Sequence, residues 1–459
     1  MYKVINCSNR YYCLLDRLTT LPVLLALRYT ESQLIIKSLN YQKYELESVK
    51  AFYEFWYAKH RVTLDYSFYI SEYQDILMLV QEIEPFLEWL LSGREFNNIV
   101  QLTENNSVNM RTASGRVASI CRFINFLNKT YITTYYSNLP LPDISNIQQL
   151  VLIQLDGIKK KCNIFTKSSC KQQQIRSLTK EQFNDYTAIF VPDKISLRNN
   201  QINHYEVITP NPLNPMTSYD IQLRNYLIMV LMSVYGLRVG EVLLLHRLSF
   251  KHYRSDETKV LMLVRNIEDE VDEVEDVRLY KPGLKSESSI RMLDISSKHF
   301  RYIKTYIDIF RPLKCEHDYI FVSHKTPYQP LSYSTVATEF ARYSESFKKN
   351  FKHHFDPQYS ESIHGNVSPH WLRHTWAYNQ LRVQFSMNES RFTHDGIVSI
   401  KGIMEDAIDS LRVLGGWAPN SCMPHRYAKR FIHEQANKTL LSVLTYDTNS
   451  QKIEVDEND

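Results

Sequence analysis

At 459 residues, with a 44% hydrophobic share and only 11 Gly and 16 Pro, the chain has room for two or three domains with their own cores, and its composition excludes a fibrous or largely disordered protein. The formal net charge of +4 hides an asymmetry: residues 268–276, EDEVDEVED, hold seven acids, and without them the balance would be +11. A basic body with a local acidic insert suits a polyanionic partner.

The first 18 residues, MYKVINCSNRYYCLLDRL, lack the basic and apolar regions of a signal peptide, and residues 1–40 carry no assignable pattern, the LPVLLAL run being readable as strand or helix. Apolar residues recur at helical spacing over 42–60, over 76–92, where Pro85 kinks or starts the helix, and over 111–128. In the third of these, Val117, Ile120, Ile124 and Leu127 make the apolar stripe, and Arg111, Arg116 and Arg122 lie largely off it. Residues 41–135 therefore read as a small helical domain with one basic face. Pro, Ser, Asn and the Lys159, Lys160, Lys161 cluster mark 136–175 as a linker with some local structure. Thr179 and Gln182 form a capping box that opens a second domain, 176–445, and 446–459 is an acidic tail. Residues 193–217 read as a loop, and Tyr226–Tyr235, the most apolar run, is too short for a bilayer and reads as part of a buried helix, 219–235, stopped by Gly236. Strands are expected over 259–264 and 289–295, and helices over 298–312, 334–350, 370–384, 404–414 and 424–444. The fold class expected is mainly α with a small antiparallel β-sheet. Seven scattered cysteines without a C-x-x-C pair favour reduced thiols, and with the absence of a membrane span they point to the cytoplasm.

The chemistry concentrates in three places. Gly236-Leu237-Arg238-Val239-Gly240-Glu241 comes first, Ser368-Pro369-His370-Trp371-Leu372-Arg373-His374 second, and Arg426-Tyr427-Ala428-Lys429 third. His370, Arg373 and His374 stand at i, i+3 and i+4 on one helical face behind a helix-starting proline. Arginines fixed in this way can hold the charge that gathers on a phosphodiester in its transition state. Arg238 and Arg373 fit that role, with Glu241 orienting Arg238. Tyr427 fits a nucleophile, His370 a group that exchanges protons near neutral pH, and Lys285, in the turn six residues before Arg291, a donor to the leaving oxygen, with Lys281 its competitor. Trp417 or His374 can add a hydrogen bond. Alone, each element has a plain structural explanation: Gly236 as a helix cap, Trp417 as core, Tyr427 as one of 31 tyrosines. Their order along the chain is what carries the chemistry.

GLRVGEVLLL, LKSESSIRMLDIS, HWLRHTWA and LGGWAP followed by RYAKRF resemble, in that order, the first arginine box, the lysine hairpin, the His-x-x-Arg box and the nucleophile segment of the tyrosine recombinase (phage integrase) family. The resemblance extends over about 176–440 and, in pattern only, over 42–135. It implies a helical core-binding domain, a mixed α/β catalytic domain, and a site-specific recombinase that cuts and rejoins DNA through a 3′-phosphotyrosine without cofactor, metal or ATP. It implies activation of the phosphate by Arg238, Lys285, His370, Arg373 and Trp417, attack by Tyr427, and a supporting place for His374. Double-stranded DNA, a homotetrameric synapse, and accessory directionality or DNA-bending proteins are the implied partners, at the nucleoid, with a mobile-element integrase the first choice of role. By the same resemblance, residues 431–445 dock on a neighbouring protomer or pack in cis. Leu414-Gly415-Gly416-Trp417 departs from the family pattern, because either Gly416 or Trp417 can fill the third-box position; Trp417 is aligned there, ten residues before Tyr427. The 385–410 segment and the acidic run are further departures, the run being read as a solvated hairpin extension that repels the DNA backbone until partners arrive.

A type IB topoisomerase or an inactive DNA-binding relative shares much of this pattern. A metal-dependent nuclease built on His353, His354, His370 and His374 has no H-E-x-x-H motif, and Arg373 between two of the histidines would repel a cation. A helical interaction scaffold is disfavoured by the absence of repeats.

Overall fold

The computed structural model describes residues 1–7, 11–71, 76–92, 109–132, 139–168, 176–192, 211–267, 276–278, 280–394, 400–427 and 429–450. They fall into two compact units, Met1–Gln173 and Gln174–Asp459. The class is the expected one, mainly helical with small antiparallel sheets.

The first unit opens with a hairpin, β1 (Tyr2–Cys7) against β2 (Tyr11–Asp16), in a register that sets Tyr2 opposite Asp16. Helices α1 (Leu24–Tyr29), α2 (Leu39–His60), α3 (Leu64–Ile70), α4 (Ile76–Gln81), α5 (Ile83–Leu91) and α6 (Met110–Leu127) follow. Pro85 sits in the first turn of α5, where its missing N–H costs nothing, and so starts the helix instead of kinking it. Aromatic side chains fill the core, Phe52 meeting Phe86 edge-on at 5.2 Å and Tyr29 meeting Phe123 at 5.4 Å.

Two expectations are corrected here. Residues 1–40, unassigned from sequence, form the hairpin and α1. The stretch 136–175, expected to be a linker, holds the 28-residue helix α7 (Leu141–Ser168). Its Ile144, Val151, Leu155 and Cys162, spaced by seven, four and seven, are buried in the first unit's core. That stripe was masked by the polar residues and lysines on its outer face.

The three arginines of α6 differ in surroundings. Arg111 is exposed and Arg116 half-buried. Arg122 is held on Glu45, a fully buried carboxylate (0% exposed) that also accepts from Ser119 Oγ at 3.0 Å and Tyr29 OH at 3.2 Å. Its guanidinium, 41% exposed, is thus held at the surface by an internal carboxylate. Arg122→Ala, which leaves Glu45 buried without its cation, is expected to lower the unfolding free energy by about 1–3 kcal/mol in denaturant titration, whereas Arg111→Ala should change it by no more than about 0.5 kcal/mol.

In the second unit, α8 (Lys180–Phe190) starts with the expected capping box, Thr179 Oγ1 accepting the Gln182 N–H at 3.1 Å and Gln182 Oε1 the Thr179 N–H at 2.9 Å. The apolar α9 (Tyr219–Ser233) is buried around most of its circumference. After α10 (Val239–Leu243) comes a sheet of β3 (Phe250–Tyr253), β4 (Asp256–Val264) and β5 (Arg291–Ile295), with β4 in the middle and Val264 opposite Arg291. Then follow α11 (Ser297–Thr305), α12 (Tyr333–Asn350), α13 (Pro369–His394), α14 (Ile400–Leu414), α15 (Met423–Tyr427) and α16 (Lys429–Ser450). The acidic run lies outside the described residues except for Asp276. That residue is buried, bound by Arg278 at 2.7–3.0 Å, and so belongs to the interior and not to a solvated extension. Among the described residues no helix is long and apolar enough to cross a membrane.

Candidate active site

Glycine ends α9 and thereby aims the first arginine. Gly236 has φ +67°, and a Cβ there would lie 2.3 Å from the Trp376 indole, so both backbone and packing demand glycine. Two residues on, Arg238 is extended (φ −74°, ψ 154°) as the N-cap of α10, and its own N–H donates to Glu241 Oε2 at 2.9 Å.

Glu241 is the centre of the site. Its side chain is 2% exposed and is approached by three guanidinium groups. Arg238 Nη1 donates to Oε1, Arg291 Nη2 donates to Oε2 at 2.9 Å, and Arg373 Nη1 lies 3.7 Å from Oε2. Burial alone would raise the carboxyl pKa, but Arg291, then Arg373 and Arg238, outweigh it and hold the pKa below its ordinary value. The stability contributed by Glu241 is thus fully present above the ordinary carboxylate range and is lost as the pH falls through the lower folded value.

Arg373 sits deeper than Arg238: their side chains are 1% and 20% exposed. Arg373 Nη1 donates to the Gly236 carbonyl and Nη2 to the Gly415 carbonyl at 2.5 Å, joining the end of α9 to the turn after α14. The Trp417 ring lies 4.4 Å from the Arg373 guanidinium carbon and 5.8 Å from that of Arg238, within cation–π range of both. The geometry also accounts for the Leu-Gly-Gly-Trp departure. Gly416 has φ +60°, and a Cβ on it would come within 2.9 Å of Arg291 Nη1 and 3.0 Å of Ser289 Cα. No side chain fits there, and the one set against the arginines is that of Trp417.

His370 stands on the first turn of α13, with its ring perpendicular to that of half-buried His374, centroids 4.8 Å apart. Burial, then the positive charges of Arg176, Arg373, Arg238 and Lys285, push its pKa down to about 4. Lys285 is exposed, in a loop whose Gly283 carbonyl oxygen and Pro282 ring lie 3.6 and 3.9 Å from where a Gly240 Cβ would be. Its charge is among those that act on His370. Tyr427 closes α15, and its side chain lies outside the described residues. Three residues further on, buried Arg430 donates to the Ser177 carbonyl (3.0 Å), to Glu361 (3.0 Å) and to Glu434 (2.8 Å).

Arg238, Glu241, Arg373 and Trp417 are thus brought together, with His370 and Lys285 in electrostatic range. Arg291 and Arg176 were missed from sequence as members of the site. For Arg291 a signal existed: Leu293 and Ile295 face the core, so strand alternation puts Arg291 on the same inner face.

Residues 206–389 match the family described as the phage integrase family. The matched stretch includes Arg238, Lys285, His370 and Arg373 and ends before Trp417 and Tyr427. Similar solved structures include the Tn1549 transposon integrase in complex with transposon right end DNA, 13% identical, covering 79% of this chain and 94% of that chain with a TM-score of 0.37. Another is the XerH site-specific recombinase bound to difH substrate in a pre-cleavage complex, 13% identical, covering 78% and 95%, with a TM-score of 0.34. No curated protein matches the chain.

The charges around His370 make a direct prediction. In the protein without DNA, NMR titration of the His370 ring should give a midpoint well below 6.5, the ordinary value, and Arg176→Gln should move it upward. A midpoint unchanged by Arg176→Gln would show that its charge does not reach the ring.

Proposed function

We propose that the protein is a site-specific DNA recombinase, an integrase of a mobile element, which cuts and rejoins DNA through a 3′-phosphotyrosine on Tyr427. The observation that supports this best is the buried Glu241 holding Arg238, Arg291 and Arg373 together above Trp417, in a domain of tyrosine recombinase class.

In this mechanism the Tyr427 oxygen attacks phosphorus, the bond to the 5′-oxygen breaks, and that oxygen leaves with a proton from the Lys285 ammonium. The phosphotyrosine conserves the energy of the broken linkage, so rejoining needs neither ATP nor an added nucleophile. Arg238, whose side chain is 20% exposed against 1% for Arg373, takes the non-bridging oxygens first. Arg373, closed in by the Gly236 and Gly415 carbonyls, reaches them once the 415–417 turn yields. Neutral His370 accepts a proton or hydrogen bond, and an arriving phosphate, by offsetting the surrounding cations, raises its pKa toward the range useful at neutral pH. Trp417 packs under both arginines and keeps water from them.

Double-stranded DNA at specific sites is the substrate, a homotetramer the working assembly, and accessory directionality or bending proteins its regulators, in the cytoplasm at the nucleoid. The helical unit tracks phosphates with exposed Arg111 and half-buried Arg116, so affinity falls steeply with salt. On α16, Phe431 packs in cis against Phe385 at 5.5 Å, while exposed Leu440 faces a neighbouring protomer.

Covalent trapping tests this. Wild type incubated in EDTA with nicked duplexes from the ends of the surrounding genetic element should give a denaturant-resistant adduct on the 3′-phosphate, and Tyr427→Phe none. An adduct that persists in Tyr427→Phe would exclude Tyr427 as the nucleophile. Cutting that occurs only with a divalent metal would exclude the tyrosine mechanism.

A further inference from the structure

A second cluster of chemically capable side chains lies in the same unit, on elements that the transesterification does not use. After α12 the chain makes one tight turn, Lys352–Phe355, which carries two histidines in succession. Neighbouring side chains usually diverge, yet the rings of His353 and His354 come together, centroids 3.9 Å apart. Both point Nε2 at one atom, Asp185 Oδ2 on α8, at 3.8 Å from His353 and 2.7 Å from His354. The three donor atoms lie within 4.8 Å of one another.

The cluster is rigidly built. His354 is 7% exposed, with Phe347 and Phe351 rings 5.5 and 6.4 Å from its own. Its backbone is fixed at both ends, N–H to the Phe351 carbonyl (3.2 Å) and carbonyl from the Ile363 N–H (2.8 Å). Asp185 stands on a helix anchored by its capping box and by Gln182, which donates to the Glu361 carbonyl at 2.8 Å.

A hydrogen-bonded His–Asp pair accounts for His354 alone. It leaves unexplained why a second imidazole, 58% exposed and free to turn to water, converges on the same oxygen from beyond hydrogen-bond range. A shared ion explains it. Nitrogen and oxygen donors at about 2.0–2.1 Å around a tetrahedral zinc stand about 3.3 Å from each other, between the observed 2.7 and 3.8 Å. Two imidazoles with one carboxylate suit zinc-class divalent ions, whereas calcium and magnesium prefer all-oxygen sets.

We infer that Asp185, His353 and His354 form a binding site for a zinc-class divalent ion. Three protein ligands leave a fourth position for water. The ion ties α8 to the segment between α12 and α13, the helix that carries His370 and Arg373, and so acts as a staple for the scaffold and takes no part in strand transfer.

The test uses the full chain, stripped with chelator, and titration with Zn2+ alone and Co2+ alone. Wild type should bind one saturable equivalent and unfold at a higher temperature with Zn2+. The bound Co2+ spectrum should lack the charge-transfer band of a thiolate, which separates this site from exposed Cys422. His353→Ala, at an exposed position, and the conservative Asp185→Asn should each bind at least tenfold more weakly while unfolding in chelator close to wild type. Absence of a saturable equivalent, equal affinity in both variants, or a thiolate spectrum would overturn the assignment.

Discussion

Three guanidinium groups gathered around one buried carboxylate would be unstable in any other arrangement of these parts. Without Glu241, Arg238, Arg291 and Arg373 would place three positive charges in a poorly solvated interior. Without the arginines, Glu241 would be a buried charge, which folding tolerates only when paired. Each arginine also ties down a different piece of chain: Arg238 the start of α10, Arg291 the edge of the sheet beside the lysine loop, Arg373 the end of α9 and the turn before Trp417. The centre is therefore a structural joint.

The same joint dictates its glycines. Gly236 and Gly416 both have positive φ and both face an occupied space, the Trp376 ring in one case and Arg291 with the sheet edge in the other. At both places the backbone comes so close to a ring or a guanidinium that no side chain can intervene. The doubled glycine of Leu-Gly-Gly-Trp, odd as a motif, follows from Arg291.

Much of this was legible in the sequence and some was not, for physical reasons. Arg238 and Arg373 stand in short motifs with helix signals beside them, and the buried α9 shows as an unbroken apolar run. Glu241 read as a mere companion of Arg238, because a carboxylate three residues after an arginine is usually a solvated pair; its second and third partners come from residues 50 and 132 positions further on, a separation that no local pattern reports. The helix α7 was hidden behind a polar outer face, and the first hairpin because its strands alternate poorly between buried and exposed. Arg122 shows the same limit: it lies off the apolar stripe of its helix, and its partner Glu45 stands 77 residues earlier. Charged residues thus revealed their type and not their partners, and in this protein the partners decide the function.

The most direct test of the central claim is the rate of covalent adduct formation on saturating nicked DNA by Glu241→Gln, which keeps the shape and an acceptor oxygen but removes the charge. If the carboxylate assembles the arginines for strand transfer, the rate should fall by about 10²–10³-fold, with DNA affinity at matched salt unchanged. A rate equal to that of wild type would contradict the account, since the arginines would then hold their places without the charge said to gather them.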